Sequence, residues 1–120
     1  MIVAHSVFPL AAESDILAEV APRASDPVVT SGPDKFLGTE IEQLLKSKAV
    51  KTVVIVGSAA HGAVLHTAGA AAFRGFDVVV PVGGMSADST YAEEYTTWHL
   101  ANAPKLGSHV KLTRRDRVNM

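Results

Sequence analysis

Short β-branched runs alternate along this chain with longer stretches of helical period, the pattern of a mostly parallel sheet with helices laid on its faces. Five strands are expected, at residues 2–7, 28–30, 52–56, 76–82 and 110–113. The runs at 52–56 and 76–82 are almost wholly apolar rather than alternating, which predicts strands covered on both faces.

The segments between them read as helices. Thr39 and Glu42 have the spacing of a capping box, and Ile41, Leu44 and Leu45 follow on one apolar stripe. Lys46 and Lys48 then fall where cations suit the negative pole of the helix dipole. Residues 61–74 are rich in alanine and glycine, so this helix can approach the sheet closely, and Gly75 supplies a left-handed residue to end it. Residues 52–82 therefore form a strand-helix-strand unit with an expected right-handed crossover. A last helix at 90–102 carries Tyr91, Tyr95 and Trp98 at spacings of four and three, a stripe that predicts packing in the core or at an interface. Pro104 and Gly107 stop it. The tail with Arg114, Arg115 and Arg117 is interrupted by Asp116 and reads as a solvated end.

Composition narrows the function classes. With 120 residues, 48% hydrophobic and 19% charged, the chain is expected to form a single domain over residues 1–120, able to bury a core without disulfide or metal. It has no cysteine, which excludes a disulfide framework, a thiolate zinc site and a cysteine nucleophile. A formal net charge of −1 gives no field to steer the chain to nucleic acid or to an anionic membrane. The apolar start at residues 1–7 is too short to span a bilayer and lacks the features of a secretory signal, so a cytoplasmic protein is expected.

In an open parallel sheet, ligands gather beyond the carboxyl ends of the strands. Two loops fall there, Gly57-Ser58-Ala59-Ala60-His61-Gly62-Ala63 and Gly83-Gly84-Met85-Ser86-Ala87. Free amides at a helix start attract anions or a carbonyl oxygen, so Ser58, Ala59, Ala60, His61, Gly62 and Ala63 are the candidate ligand-binding residues. The loop is neither a Walker phosphate loop nor a GxGxxG fingerprint. His61 and His66 are five apart and do not share a helical face, so no metal site is expected. His5, His66, His99 and His109 read as structural or exposed. Ser58 and Ser86 are the loop hydroxyls, and nothing in the sequence marks either as activated.

Several pieces in order resemble one family. Val28-Val29 through Phe36-Leu37-Gly38-Thr39, then Lys51-Thr52-Val53-Val54-Ile55-Val56-Gly57, Ala63-Val64-Leu65-His66-Thr67-Ala68, Arg74-Gly75-Phe76 and Val78-Val79-Val80 resemble the isochorismatase-like cysteine hydrolases, which include nicotinamidases and N-carbamoylsarcosine amidases. The resemblance covers nearly the whole chain and implies a three-layer, Rossmann-like α/β fold. It also implies amide or vinyl-ether cleavage by an aspartate, a lysine and a cysteine, without a cofactor. The cysteine's place, six residues beyond the glycine of the Val-Ile-Val-Gly strand, is taken by Ala63. The lysine aligns with Thr30; Lys35 is close by but out of register beside Phe36. The aspartate belongs to a family strand that should precede residues 2–7, and Gly83 stands where a further family aspartate often lies.

The expectation is therefore a relative without the cysteine chemistry, keeping a pocket for a small amide or carboxylate or serving in a homo-oligomer. The alternatives are a hydrolase in which His61 or Ser58 activates water, and a purely structural module built on the aromatic stripe. The absent central strand leaves a gap, which the strand at 2–7 is expected to close by moving beside 52–56, in sheet order 2-1-3-4-5. The rival is that Met1 is an internal start and the sheet edge stays open.

Overall fold

A computed structural model describes residues 3–7, 19 and 21–118. Strand β1 (His5–Val7) leads to β2 (Val28–Thr30) and helix α1 (Ile41–Ser47). Next come β3 (Thr52–Val54), β4 (Gly57–Ser58), a π-helical turn (Ala60–Val64) and α2 (Leu65–Phe73). Strand β5 (Asp77–Pro81), a 3-10 turn (Val82–Gly84), β6 (Met85–Ser86), α3 (Thr90–Asn102), β7 (Val110–Thr113) and a 3-10 turn (Arg115–Arg117) complete the described elements.

All strand pairs described are parallel, as the alternation of strand and helix requires. They fall into three sheets, β1-β2, β3-β5-β7 and β4-β6. Of the expected order 2-1-3-4-5, the pairings of the first strand with the second, the third with the fourth and the fourth with the fifth are seen, as β1-β2, β3-β5 and β5-β7, but the closing contact of β1 with β3 does not form among the described residues. The register His5↔Val28, Ser6↔Val29, Val7↔Thr30 engages one edge of β1, and its other edge does not meet β3 among the described residues.

The strand expected at 52–56 is split. After Val54, Ile55 still donates to the Val79 carbonyl at 3.0 Å, but Gly57 then adopts φ +128 and the chain re-pairs as β4 against β6. The strand expected at 76–82 is Asp77–Pro81, ending in a 3-10 turn. The expected strand at 2–7 is seen as His5–Val7; its first two residues lie outside those described.

One buried cluster holds the helices to the sheet. Ile41 and Leu45 of α1, Ala68 to Ala72 of α2 excepting Gly69, Leu100 of α3, Val78 and Val80 of β5 and Val110 of β7 all belong to it. The alanines of α2 fulfil the expectation of close approach, since Ala68 and Ala71 are fully buried. Gly75, at φ +91, ends that helix in the left-handed conformation read from the sequence. Phe36 packs on Phe76 with ring centroids 5.9 Å apart, and the Arg74 guanidinium lies over the Phe36 ring.

Three sequence expectations are corrected by this packing. The reciprocal capping box does not form: the Thr39 hydroxyl donates to the Lys35 carbonyl at 2.7 Å and accepts from Ile41 N at 3.4 Å, but Glu42 pairs with Lys46 and Arg74 instead of reaching back. Glu40, not Thr39, occupies the cap position of α1. Of the two places expected for the aromatic stripe of α3, core or interface, the core is excluded: Tyr91 and Trp98 keep 74% and 62% of their surface exposed, and Tyr95 also stays outside. The second face of the β3-β5-β7 sheet is open too, with Val54 39% and Val56 60% exposed.

Candidate functional site

The parallel pairing of β4 with β6 sets Ser58 beside Ser86, and their hydroxyls share a 2.7 Å hydrogen bond. Both are exposed at the carboxyl end of the sheet, where the two loops singled out from sequence come together. The Ser58-Ala59 peptide is cis, and Ala59 then leads in extended conformation into the turn Ala60–Val64.

That turn is anchored from below and closed on itself. Ala60 and Val64 are buried, whereas Gly62 and Ala63 are half-buried and His61 is exposed. The Ala59 carbonyl accepts from Gly62 N at 3.0 Å and from Val64 N at 3.2 Å. One candidate amide, that of Gly62, is thus already engaged, as is that of Val64 beyond it, which narrows the cradle to the remaining amides of the turn. Ala63 sits in this first turn beyond β4, so the position aligned with a family thiol does lie at the strand-end crevice.

Of the other candidates, Thr30 ends β2 in a different sheet and is exposed. Lys35 lies in the loop that follows: its ammonium donates to the Ser31 carbonyl at 3.2 Å, and its backbone amide donates to Thr67 Oγ1 of α2. Burial pushes this amine below the ordinary lysine range. His66 is exposed, and His5 Nε2 lies 3.4 Å from Asp26 at the opposite end of the strands. Among the described residues no three histidine or acidic side chains gather as a metal site would need. No helix among them is long and apolar enough to cross a membrane.

The Ser58–Ser86 pairing is the contact that sequence reasoning missed, although both hydroxyls were candidates. Its signal was available: each serine follows an apolar run, and adjacent parallel strands carry their loops to the same end. Glu93 adds a tie, its carboxylate accepting from Ala87 N at 3.1 Å and so fastening the second loop to the start of α3. Ser89 caps that helix by accepting from Ala92 N.

Two clefts lie elsewhere than the serine pair, though the second touches Gly83 and Gly84 of the second loop. One of about 550 Å³ lies among Asp26, Leu44 and Lys48 at the amino ends of the strands; the other, of about 310 Å³, lies against Val54, Val56 and Pro81. A ligand in the Ser58 to Ala63 crevice meets one hydroxyl pair, the turn amides and the methyl of Ala63.

The family model for the isochorismatase domain matches residues 3–113. A secreted isochorismatase effector of Verticillium dahliae is 37% identical over 68 residues, 56% of this chain and 36% of that protein, so the match spans about a third of the relative's length. Among solved structures, an isochorismatase-like hydrolase from Alkaliphilus metalliredigens superposes with a TM-score of 0.84 at 22% identity, over 97% of this chain and 69% of the other. The nicotinamidase of Staphylococcus aureus gives 0.72 at 24% identity, over 85% and 69% of the two chains. Identities this low carry the fold alone.

Proposed function

The chain belongs to the isochorismatase family, and from that premise we propose that it does not perform the family's cysteine-based hydrolysis but binds a small amide or carboxylate at the Ser58 to Ala63 crevice. The observation that carries this reading is the methyl group of Ala63, half-buried in the first turn after β4, where the resemblance puts the nucleophile. A covalent acyl intermediate needs an electron pair there, and an alanine has none to give. Binding asks for less. The Ser58 and Ser86 hydroxyls can each donate to or accept from an amide or carboxylate once their mutual bond is exchanged for the ligand. The reading calls for no cofactor or metal, and treats residues 1–120 as one cytoplasmic domain without a nucleic-acid or membrane partner.

A hydrolase using activated water finds less support. His61 is exposed, and the hydrogen bond that Ser58 makes is to another hydroxyl rather than to a base. A general base must reach the proton it removes, directly or through one water.

Titration of labelled protein with nicotinamide and with nicotinate, followed by amide chemical shifts, tests the binding. We expect saturable shifts confined to Ser58, Ala59, His61, Ala63 and Ser86, with affinity in the millimolar range or tighter, on the order of −4 kcal/mol. Ser58→Ala combined with Ser86→Ala should weaken it. Shifts scattered over the surface, or none at these residues up to about 10 mM, would sink the proposed crevice.

A further inference from the structure

The basic tail meets the carboxyl ends of β3 and β5 in a groove of about 310 Å³, which does not include the Ser58–Ser86 pair. Strand register sets its apolar side. Residues paired across parallel strands share a face that recurs every second residue, so Val54 lies with Val79, and Pro81 lies on that same side. Val78 and Val80 take the other side, where they are fully buried in the core cluster. On the groove side Val54 and Val56 are exposed beside the buried Pro81, and the half-buried Val118 joins them. Gly84 leaves Val56 its place, since a Cβ there would come within 2.8 Å of Val56 Cγ1.

The one charged side chain lining this groove is Arg115. Its neighbour Arg114 is taken by Asp116, whereas no acidic side chain among the described residues pairs with Arg115. A guanidinium offers several donors in a flat fork that matches a carboxylate, and the remaining side chains here offer only hydrocarbon. The complementary ligand therefore carries one carboxylate on an apolar chain. The sheet beneath favours a hydrocarbon tail over a peptide. β3 and β5 spend their facing backbone groups on each other, with Ile55 N donating to the Val79 carbonyl at 3.0 Å, so an incoming main chain meets side chains where it needs amides and carbonyls.

We propose that this groove binds a medium-chain aliphatic carboxylate, its tail along Val54, Val56, Pro81 and Val118 and its head on Arg115. The volume falls at the small end of ligand sites, which holds the tail to roughly six to ten carbons. The site is separate from the Ser58 crevice, and neither reading depends on the other.

Amide chemical shifts of labelled protein, followed during titration with octanoate, butanoate and octanamide, test it, with thermal unfolding of each variant to confirm folding. Octanoate should give saturable shifts at Val54, Val56, Gly84, Arg115 and Val118. Butanoate should bind about tenfold or more weakly, because fewer methylenes are buried. Arg115→Gln should weaken octanoate by about fivefold or more and leave octanamide unchanged, a split between acid and amide that loss of fold could not produce. Val56→Ser should weaken both. No saturable shift at these residues up to about 10 mM overturns the proposal. So does octanoate binding that ignores Arg115→Gln, or octanoate shifts centred on Ser58 and Ala63 instead. Tighter binding of trivaline than of octanoate would also overturn it, by assigning the groove to the end of a peptide chain.

Discussion

Leu100→Ala is expected to destabilise the fold by about 3 kcal/mol. Leu100 is fully buried in α3 and belongs to the cluster that includes Val78 and Val80, both also fully buried. Truncation removes three carbons from water-free packing and leaves a cavity that the surrounding strands cannot close, because β5 is held between β3 and β7. Against a typical stability of about 5–15 kcal/mol, that loss is a large share of the whole. Because α3 packs against the turn Ala60–Val64, amide protection in that turn should fall with it. Urea unfolding and hydrogen exchange read the two effects. Trp98→Ala on the same helix is the control: its side chain is 62% exposed, and its loss should change stability by less than about 0.5 kcal/mol in the monomer. Equal costs for the two substitutions would mean that α3 packs with a different face inward.

The second large effect concerns the alanines of α2. Ala71 is fully buried against the sheet, so Ala71→Leu forces three carbons into space that does not exist. Overpacking of this kind costs about 1–3 kcal/mol, and here the upper end is expected, because Ala68 and Ala72 leave the helix no direction in which to retreat. His66→Leu, at an exposed position one turn earlier, should be close to neutral. Midpoints of thermal unfolding separate the two. An Ala71→Leu variant as stable as wild type would show that α2 stands off the sheet.

The alternation of strand and helix was legible because it is local: β2, β7 and α3 fall on the residues read from the sequence. Gly75 and the alanine-rich helix were legible for the same reason, since each residue type states its own constraint. What failed depended on distant partners. The Thr39–Glu42 spacing matched a cap, but the Lys35 carbonyl and the Arg74 side chain offered better bonds. The Tyr91, Tyr95, Trp98 stripe has the period of a buried face, and periodicity cannot say whether the face meets this chain's core or solvent. Of the strand order, only the contact of β1 with β3 was misread, because hydrophobic pattern marks which runs are strands and not which lie side by side. At the site, the loops and the place of Ala63 were readable, whereas the Ser58–Ser86 bond and the engagement of Gly62 and Val64 by Ala59 needed coordinates.

The central claim is that bond cleavage has no starting point at residue 63. Purified protein incubated with nicotinamide, N-carbamoylsarcosine and isochorismate, with continuous measurement of ammonia from the amides and of vinyl-ether loss from isochorismate, tests it most directly. The account predicts no turnover above the protein-free rate on any of the three. Turnover that disappears in Ser58→Ala or His61→Ala would contradict it, by locating a working nucleophile or base beside the alanine.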